Sequence, residues 1–186
     1  MRFLSFFILF AFAIQLQAQK ETFLNQKYWG VFVQYGIAYK ELPEQQLYQP
    51  VLIGAVYHLP LYQSKTAFNV GMNIMPQIGL VRYNAKIKVE FGANVQFDAN
   101  LRIAEKHILS LRAGAGPHFI NVETRRQAKG FIFSDNFALA YRTLLKDTQQ
   151  LGITAGWRHI SNAGLMQPNG GIDNIMLGLE FAKWIE

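Results

Sequence analysis

The sequence predicts an all-β fold, an eight-stranded antiparallel transmembrane β-barrel, on three observations. Two-residue alternation runs on for longer than an ordinary soluble strand. A polar face opposes the apolar one. The N-terminus has the form of an export leader. The alternation is clearest from Val89 to Ile103, where Val89, Phe91, Ala93, Val95, Phe97, Ala99, Leu101 and Ile103 share one face. Glu90, Gly92, Asn94, Gln96, Asp98, Asn100 and Arg102 share the other. Soluble strands are typically about 5–6 residues long. A tilted membrane strand needs about 9–11 residues in the hydrocarbon and extends beyond it.

The elements follow in order. Arg2, the apolar run Phe3 to Ile14 and the small-residue site Leu16-Gln17-Ala18 predict a signal peptide over residues 1–18. That run is too short for a spanning helix of about 20 residues. Residues 19–186 then form a single barrel domain, with strands expected at 27–40, 50–60, 66–81, 87–103, 107–121, 129–144, 149–161 and 172–184. The second and sixth are the least regular. In the sixth, Phe131, Phe133, Phe137 and Leu139 keep one face while Asp135 interrupts it, which predicts a bulge or the end of the lipid belt.

The connections at 60–66, 104–106 and 145–148 are short, and those at 41–49, 121–128 and 162–171 are longer; the short link near Asn84 breaks the rule. Short turns at one end and longer loops at the other describe an outer-membrane barrel. With both termini in the periplasm, the seventh strand runs outward and the loop 162–171 lies at the cell exterior.

Composition fits this frame. There is no cysteine, so an exported chain must hold its fold by packing and closed hydrogen bonding. Without Arg2 the 18 basic residues become 17 against 12 acidic, a formal charge of +5. Such a chain suits an anionic partner, and for an exported protein lipid headgroups fit better than nucleic acid. A soluble barrel or sandwich also alternates. It accounts less well for the strand length, the leader, and the polar set Glu90, Asp98, Arg102 and Arg112, which a membrane barrel turns into its lumen.

Chemistry concentrates near the end of the chain. On the seventh strand Leu151, Ile153, Ala155 and Trp157 occupy one face, and steps of two add His159 and Ser161. On the eighth, Ile175, Leu177, Leu179 and Phe181 form the apolar face, and one step back gives Asp173. A base, a hydroxyl and a carboxylate therefore continue the lipid-facing rows at the same end of adjacent antiparallel strands. Residues i and i+2 lie roughly 7 Å apart along a strand, and a directly opposed partner lies about 4.5–5.5 Å away at Cβ. His159 can take the Ser161 proton on one ring nitrogen while Asp173 holds the other. A His-x-Ser pair is common by itself, and Pro168-Asn169-Gly170-Gly171 is turn chemistry on any reading. The three groups on one face are what points to acyl transfer.

At these residues the chain resembles the lipid A 3-O-deacylases of the PagL type, grouped with acyloxyacyl hydrolase-like outer-membrane proteins. The resemblance is carried by His159-Ile160-Ser161-Asn162-Ala163-Gly164-Leu165, Gln167-Pro168-Asn169 and Gly171-Ile172. It is weaker over Gly114 to Phe119 and Gly130 to Arg142, which includes Phe133-Ser134-Asp135-Asn136. It implies a serine esterase that removes an ester-linked 3-hydroxyacyl chain of lipid A, within lipopolysaccharide, without metal or cofactor. Carried over, Ser161 is the nucleophile, His159 the base and Asp173 the acid, with Asn162 and Gly164 at oxyanion-hole positions. The family's acid is usually glutamate, so the shorter Asp173 is expected to need a small backbone adjustment.

Other features carry less. His58, His107 and His118 are scattered without metal-site spacing. Arg125, Arg126 and Lys129 fall in an expected exterior loop, where a phosphate contact and plain solvation fit equally well. Against the esterase stands a non-catalytic structural or adhesive barrel, which a serine-reactive phosphonate separates from an enzyme. A soluble exported lipid binder is a third class, which would extract without detergent. Monomer and homodimer both remain open.

Overall fold

The computed structural model describes residues 26–39, 47–64, 67–146 and 148–185; the expected leader lies outside them. Eight strands follow in order: β1 (Tyr28–Ala38), β2 (Tyr48–Gln63), β3 (Phe68–Tyr83), β4 (Lys86–Ala104), β5 (His107–Ile120), β6 (Gly130–Lys146), β7 (Gln149–Ser161) and β8 (Ile172–Trp184). Each pairs antiparallel with its neighbours, and β1 also pairs with β8 from Tyr28↔Trp184 to Ala38↔Asn174. The sheet is thus a closed barrel without an open edge.

The period-two pattern sets which way each row points. The long apolar side chains Val31, Ile53, Ile78, Phe97, Leu139, Ile153 and Leu177 are exposed on the outer wall. Glu90, Asp98, Arg102 and Arg112 are buried in the lumen, as their alternation predicts. An apolar exterior around a polar interior reverses the order of a soluble barrel and matches a hydrocarbon surround.

The lumen is filled in three layers. At the end where β7 stops and β8 starts, Tyr48, Val81, Ile120, Ile132, Ile160 and Ile172 pack into an apolar cluster. At the opposite end Tyr28, Phe32, Val56, Met75 and Ala182 form a second. Ion pairs lie between them. Arg158 bonds Glu90 at 2.9 Å and its Nε donates to Ser134 Oγ at 2.8 Å; Tyr48 donates to the other Glu90 oxygen at 2.5 Å. Arg112 bridges Glu180 at 2.6 Å and Asp98 at 3.3 Å. Buried charges survive because each has a partner.

The strand bounds depart from expectation in instructive places. β2 runs past Pro50 and Pro60, the two residues that suggested its ends. Only Val51 to His58 of β2 pair with β1, so both prolines sit where one side of the strand has no ladder to lose. Asp135 does not mark a bulge, and the other reading, an end of the lipid belt, is untouched by strand register. β6 runs through it in unbroken register, with Ala115 on one side and His159 on the other. An outward side chain, however polar, leaves the backbone ladder intact. The register shifts lie instead at Pro60/Tyr62, Arg102/Ala104 and Leu144/Lys146, all beside the turns at the opposite end. The short link near Asn84 is a two-residue hairpin with Asn84 and Ala85 at φ 48° and 58°, the paired left-handed geometry that suits strand twist.

Candidate active site

The site grows from the last two strands. Ile160 pairs with Ile172, and both point inward into the apolar cluster at that end. Their neighbours His159 and Asp173 must then point outward, and they are directly opposed in register. His159 Nδ1 lies 2.8 Å from Asp173 Oδ1. The aspartate reaches the ring from the directly opposed position, and the β7–β8 register runs without a shift from Gln149 to Ile160.

The two groups differ in exposure. The His159 side chain keeps 28% of its surface and Asp173 only 7%. Asp173 belongs to the outward row, yet it is covered, and the backbone N–H of Tyr39 donates to its carbonyl at 3.3 Å. Trp157 stacks along the imidazole with centroids 5.8 Å apart and planes 20° from parallel. Gly171 closes another side. It has φ +65°, and a Cβ there would press on His159 Cε1 and lie 2.9 Å from Nε2. Glycine thus answers both a left-handed backbone and a close approach to the ring.

Ser161 is half-buried, two residues beyond His159 on the same strand. Among the described residues no hydrogen bond joins its hydroxyl to the imidazole; such bonds are often long before substrate is bound. With Nδ1 engaged by Asp173, Nε2 is the nitrogen left for it. Asn162 is buried and organises the loop that follows. Its backbone N–H donates to Asn169 Oδ1 at 2.8 Å, its Nδ2 donates to Met166 O at 2.7 Å, and its Oδ1 accepts the Gly164 N–H at 3.1 Å. Ala163 and Gly164 have φ 52° and 82°, and Leu165 N–H closes the turn on Asn162 O at 3.0 Å.

Two features were not assembled from the sequence. Asp135, read there as a sign of a bulge or of the end of the lipid belt, is directly opposite His159 on β6 and exposed on the outer wall, so the imidazole has a carboxylate neighbour on each side. Further down the wall an apolar groove of about 560 Å3 is lined by Tyr35, Leu139, Ile153, Ala155, Leu177 and Leu179. Ala155 lies four residues below His159 on the same face, roughly 13 Å away along the strand. The remaining histidines stand apart. His58 and His118 are buried in the lumen, and His107 bonds Tyr141 at 2.6 Å. No cluster of three metal-binding side chains occurs among the described residues.

An apolar outer wall around a closed polar lumen, carrying a His–Asp pair, a serine and a groove, defines a membrane β-barrel of the outer-membrane type. The chain belongs to the lipid A 3-O-deacylase (PagL) family, whose model matches residues 10–182. It is accordingly assigned to the outer membrane as a hydrolase of the lipid A deacylase type. Among solved structures, that of the outer membrane enzyme PagL is similar over 80% of this chain and 97% of its own, at 15% identity and TM-score 0.60. A de novo designed transmembrane β-barrel is similar over 84% and 95%, at 12% identity and TM-score 0.36. A bacterial polysaccharide outer membrane secretin is similar over 87% and 52%, at 9% identity and TM-score 0.37. A search of curated protein sequences finds no match.

Proposed function

We propose that the protein is a serine esterase that removes an ester-linked 3-hydroxyacyl chain from lipid A in the outer leaflet. Ser161 is the nucleophile, His159 the base and Asp173 the acid. The observation that carries this reading is the 2.8 Å His159–Asp173 contact on the outer wall, two residues from a serine on the same face. Asp173 orients the imidazole and stabilises its charged form, leaving Nε2 to take the Ser161 proton. Ser161 Oγ then bonds the acyl carbonyl carbon. Collapse of the tetrahedral intermediate breaks the ester C–O bond, and His159 returns the proton to the departing sugar oxygen. Water, deprotonated by His159, releases the fatty acid and restores Ser161.

Asn162 and Gly164 are the oxyanion donors in this reading. Both are engaged within the loop, Asn162 Nδ2 with Met166 O and the Gly164 N–H with Asn162 Oδ1, so each turns to the acyl carbonyl only as substrate binds. The groove below Trp157 suits an acyl chain lying along the wall. A carboxylate in a hydrocarbon-facing row is costly, so Asp135 fits best as an acceptor for a hydroxyl or amide donor of the substrate. All these groups come from one copy of the chain, so the reading does not require a dimer.

The test is the mass of lipid A extracted from cells that express the wild-type chain or Ser161→Ala. Wild type is expected to remove one hydroxyacyl group and the variant none. Identical lipid A in both strains would overturn the assignment.

A further inference from the structure

The loop between β5 and β6 is clasped onto the loop that carries Asn162 and Gly171. Thr124 shapes the first loop: its Oγ1 accepts the N–H groups of Arg126 at 3.1 Å and Gln127 at 2.8 Å, and its own N–H donates to Gln127 O at 2.9 Å. That turn directs Arg126 at Gly170 twice over. Gly170 N–H donates to Arg126 O at 2.5 Å, and Arg126 Nη2 donates to Gly170 O at 2.7 Å. The clasp continues as an isolated bridge between Gln127 and Asn169 and as the bond from Ala128 N–H to Pro168 O at 2.9 Å. Gln127 is fully buried beneath it.

Two lines of support leave this clasp for the site. Gly170 precedes Gly171, whose missing Cβ accommodates the Cε1–Nε2 edge of His159. Asn169, bridged to Gln127, accepts the backbone N–H of Asn162 through Oδ1. The neighbouring hairpin therefore braces both the floor under the base and the loop of the oxyanion donors, through backbone links at Arg126, Gln127 and Ala128 and through one side chain, that of Arg126 on Gly170. A shift of about 1 Å in such parts can cost roughly 100-fold in rate.

We infer that Arg126 is a positioning residue: by holding Gly170 from the adjacent hairpin, it sets the place of His159, and through the loop that of Asn162, against Ser161. This rests on Ser161 being the nucleophile. It departs from the simpler view of Arg126 as a cation for substrate phosphate, because its guanidinium is already bonded to a backbone carbonyl of the catalytic loop.

A small uncharged fluorophosphonate tests the inference, because an activated serine displaces its fluoride to form a phosphonate ester, and it has no headgroup for an arginine to bind. Its labelling rate at Ser161 is measured for wild type, Arg126→Ala and Arg126→Lys in detergent. The heat-dependent gel shift reports that each barrel is folded. Arg126→Ala is expected to lose about 10–100-fold in labelling rate, and Arg126→Lys, which keeps a donor toward Gly170 O, to recover most of it. On lipid A the loss is expected in kcat, with KM little changed. Unchanged labelling in folded Arg126→Ala, or a raised KM at constant kcat, would overturn the brace and leave the triad standing. Absence of label on wild-type Ser161 would instead sink the triad, and the brace with it.

Discussion

At the scale of single residues the site turns on one short contact and one missing side chain. Asp173 meets His159 Nδ1 at 2.8 Å with only 7% of its side chain exposed, so its hydrogen bond is poorly contested by solvent. Replacing it with asparagine keeps the shape and removes the charge that orients the ring and stabilises its protonated form. Asp173→Asn is expected to lower the deacylation rate by about 10⁴-fold while the barrel still folds. Hydroxyacyl release and the heat-dependent gel shift check the two halves; full activity would remove Asp173 from the mechanism. The face shared by His159, Ser161 and Asp173 was legible from steps of two along β7 and β8. The burial of Asp173 was not, because strand phase gives a direction and says nothing about what covers the group. The fit of Gly171 against the imidazole was equally hidden, since Asn169-Gly170-Gly171 reads as an ordinary turn in any chain.

At the scale of elements, what holds the outer end of β7 is its inner face. Arg158 is fully buried between His159 and Trp157 in sequence, and it ties β7 to β4 through Glu90 and to β6 through Ser134. Arg158→Met would leave Glu90 buried with Tyr48 as its remaining hydrogen-bond partner. Breaking a buried pair on one side costs about 3–5 kcal/mol, and a loss of that size is expected in the urea unfolding free energy in lipid vesicles. The double change to apolar residues of similar volume is expected to cost less, because it leaves no orphan charge. Equal losses for the single and double variants would show that Arg158 acts by packing alone. The strands themselves were largely legible, since alternation is a backbone property that each residue repeats. The exceptions have local causes: Pro50 and Pro60 lie beyond the β1 ladder, and Asp135 disturbs a face without disturbing a strand. The clasp of 121–129 on 162–171 was not legible at all. Two aperiodic loops meet there through backbone groups and one arginine, and no spacing in the sequence encodes that meeting.

At the scale of the whole molecule, the filled lumen decides how substrate reaches the site. Apolar clusters close both ends, and paired charges occupy the space between them, so the barrel interior offers no route for a lipid. His159, Trp157 and the groove at Ala155 all lie on the outer wall. On the proposed assignment of Ser161 and His159, a lipid therefore arrives sideways within the same leaflet, and the concentration that governs the rate is its mole fraction in the bilayer. Reconstituted vesicles test this directly. Diluting the vesicles at fixed lipid A mole fraction is expected to leave turnover per enzyme unchanged. Lowering the mole fraction at fixed bulk lipid A, by adding inert phospholipid to the same bilayers, is expected to lower it in proportion below saturation. Lipid A supplied in separate vesicles should be cleaved only as fast as it transfers between them. A rate that tracks bulk concentration would mean that substrate enters from the aqueous side, past the loops 121–129 and 162–171. In that case those loops, rather than the wall, would be where selectivity is set.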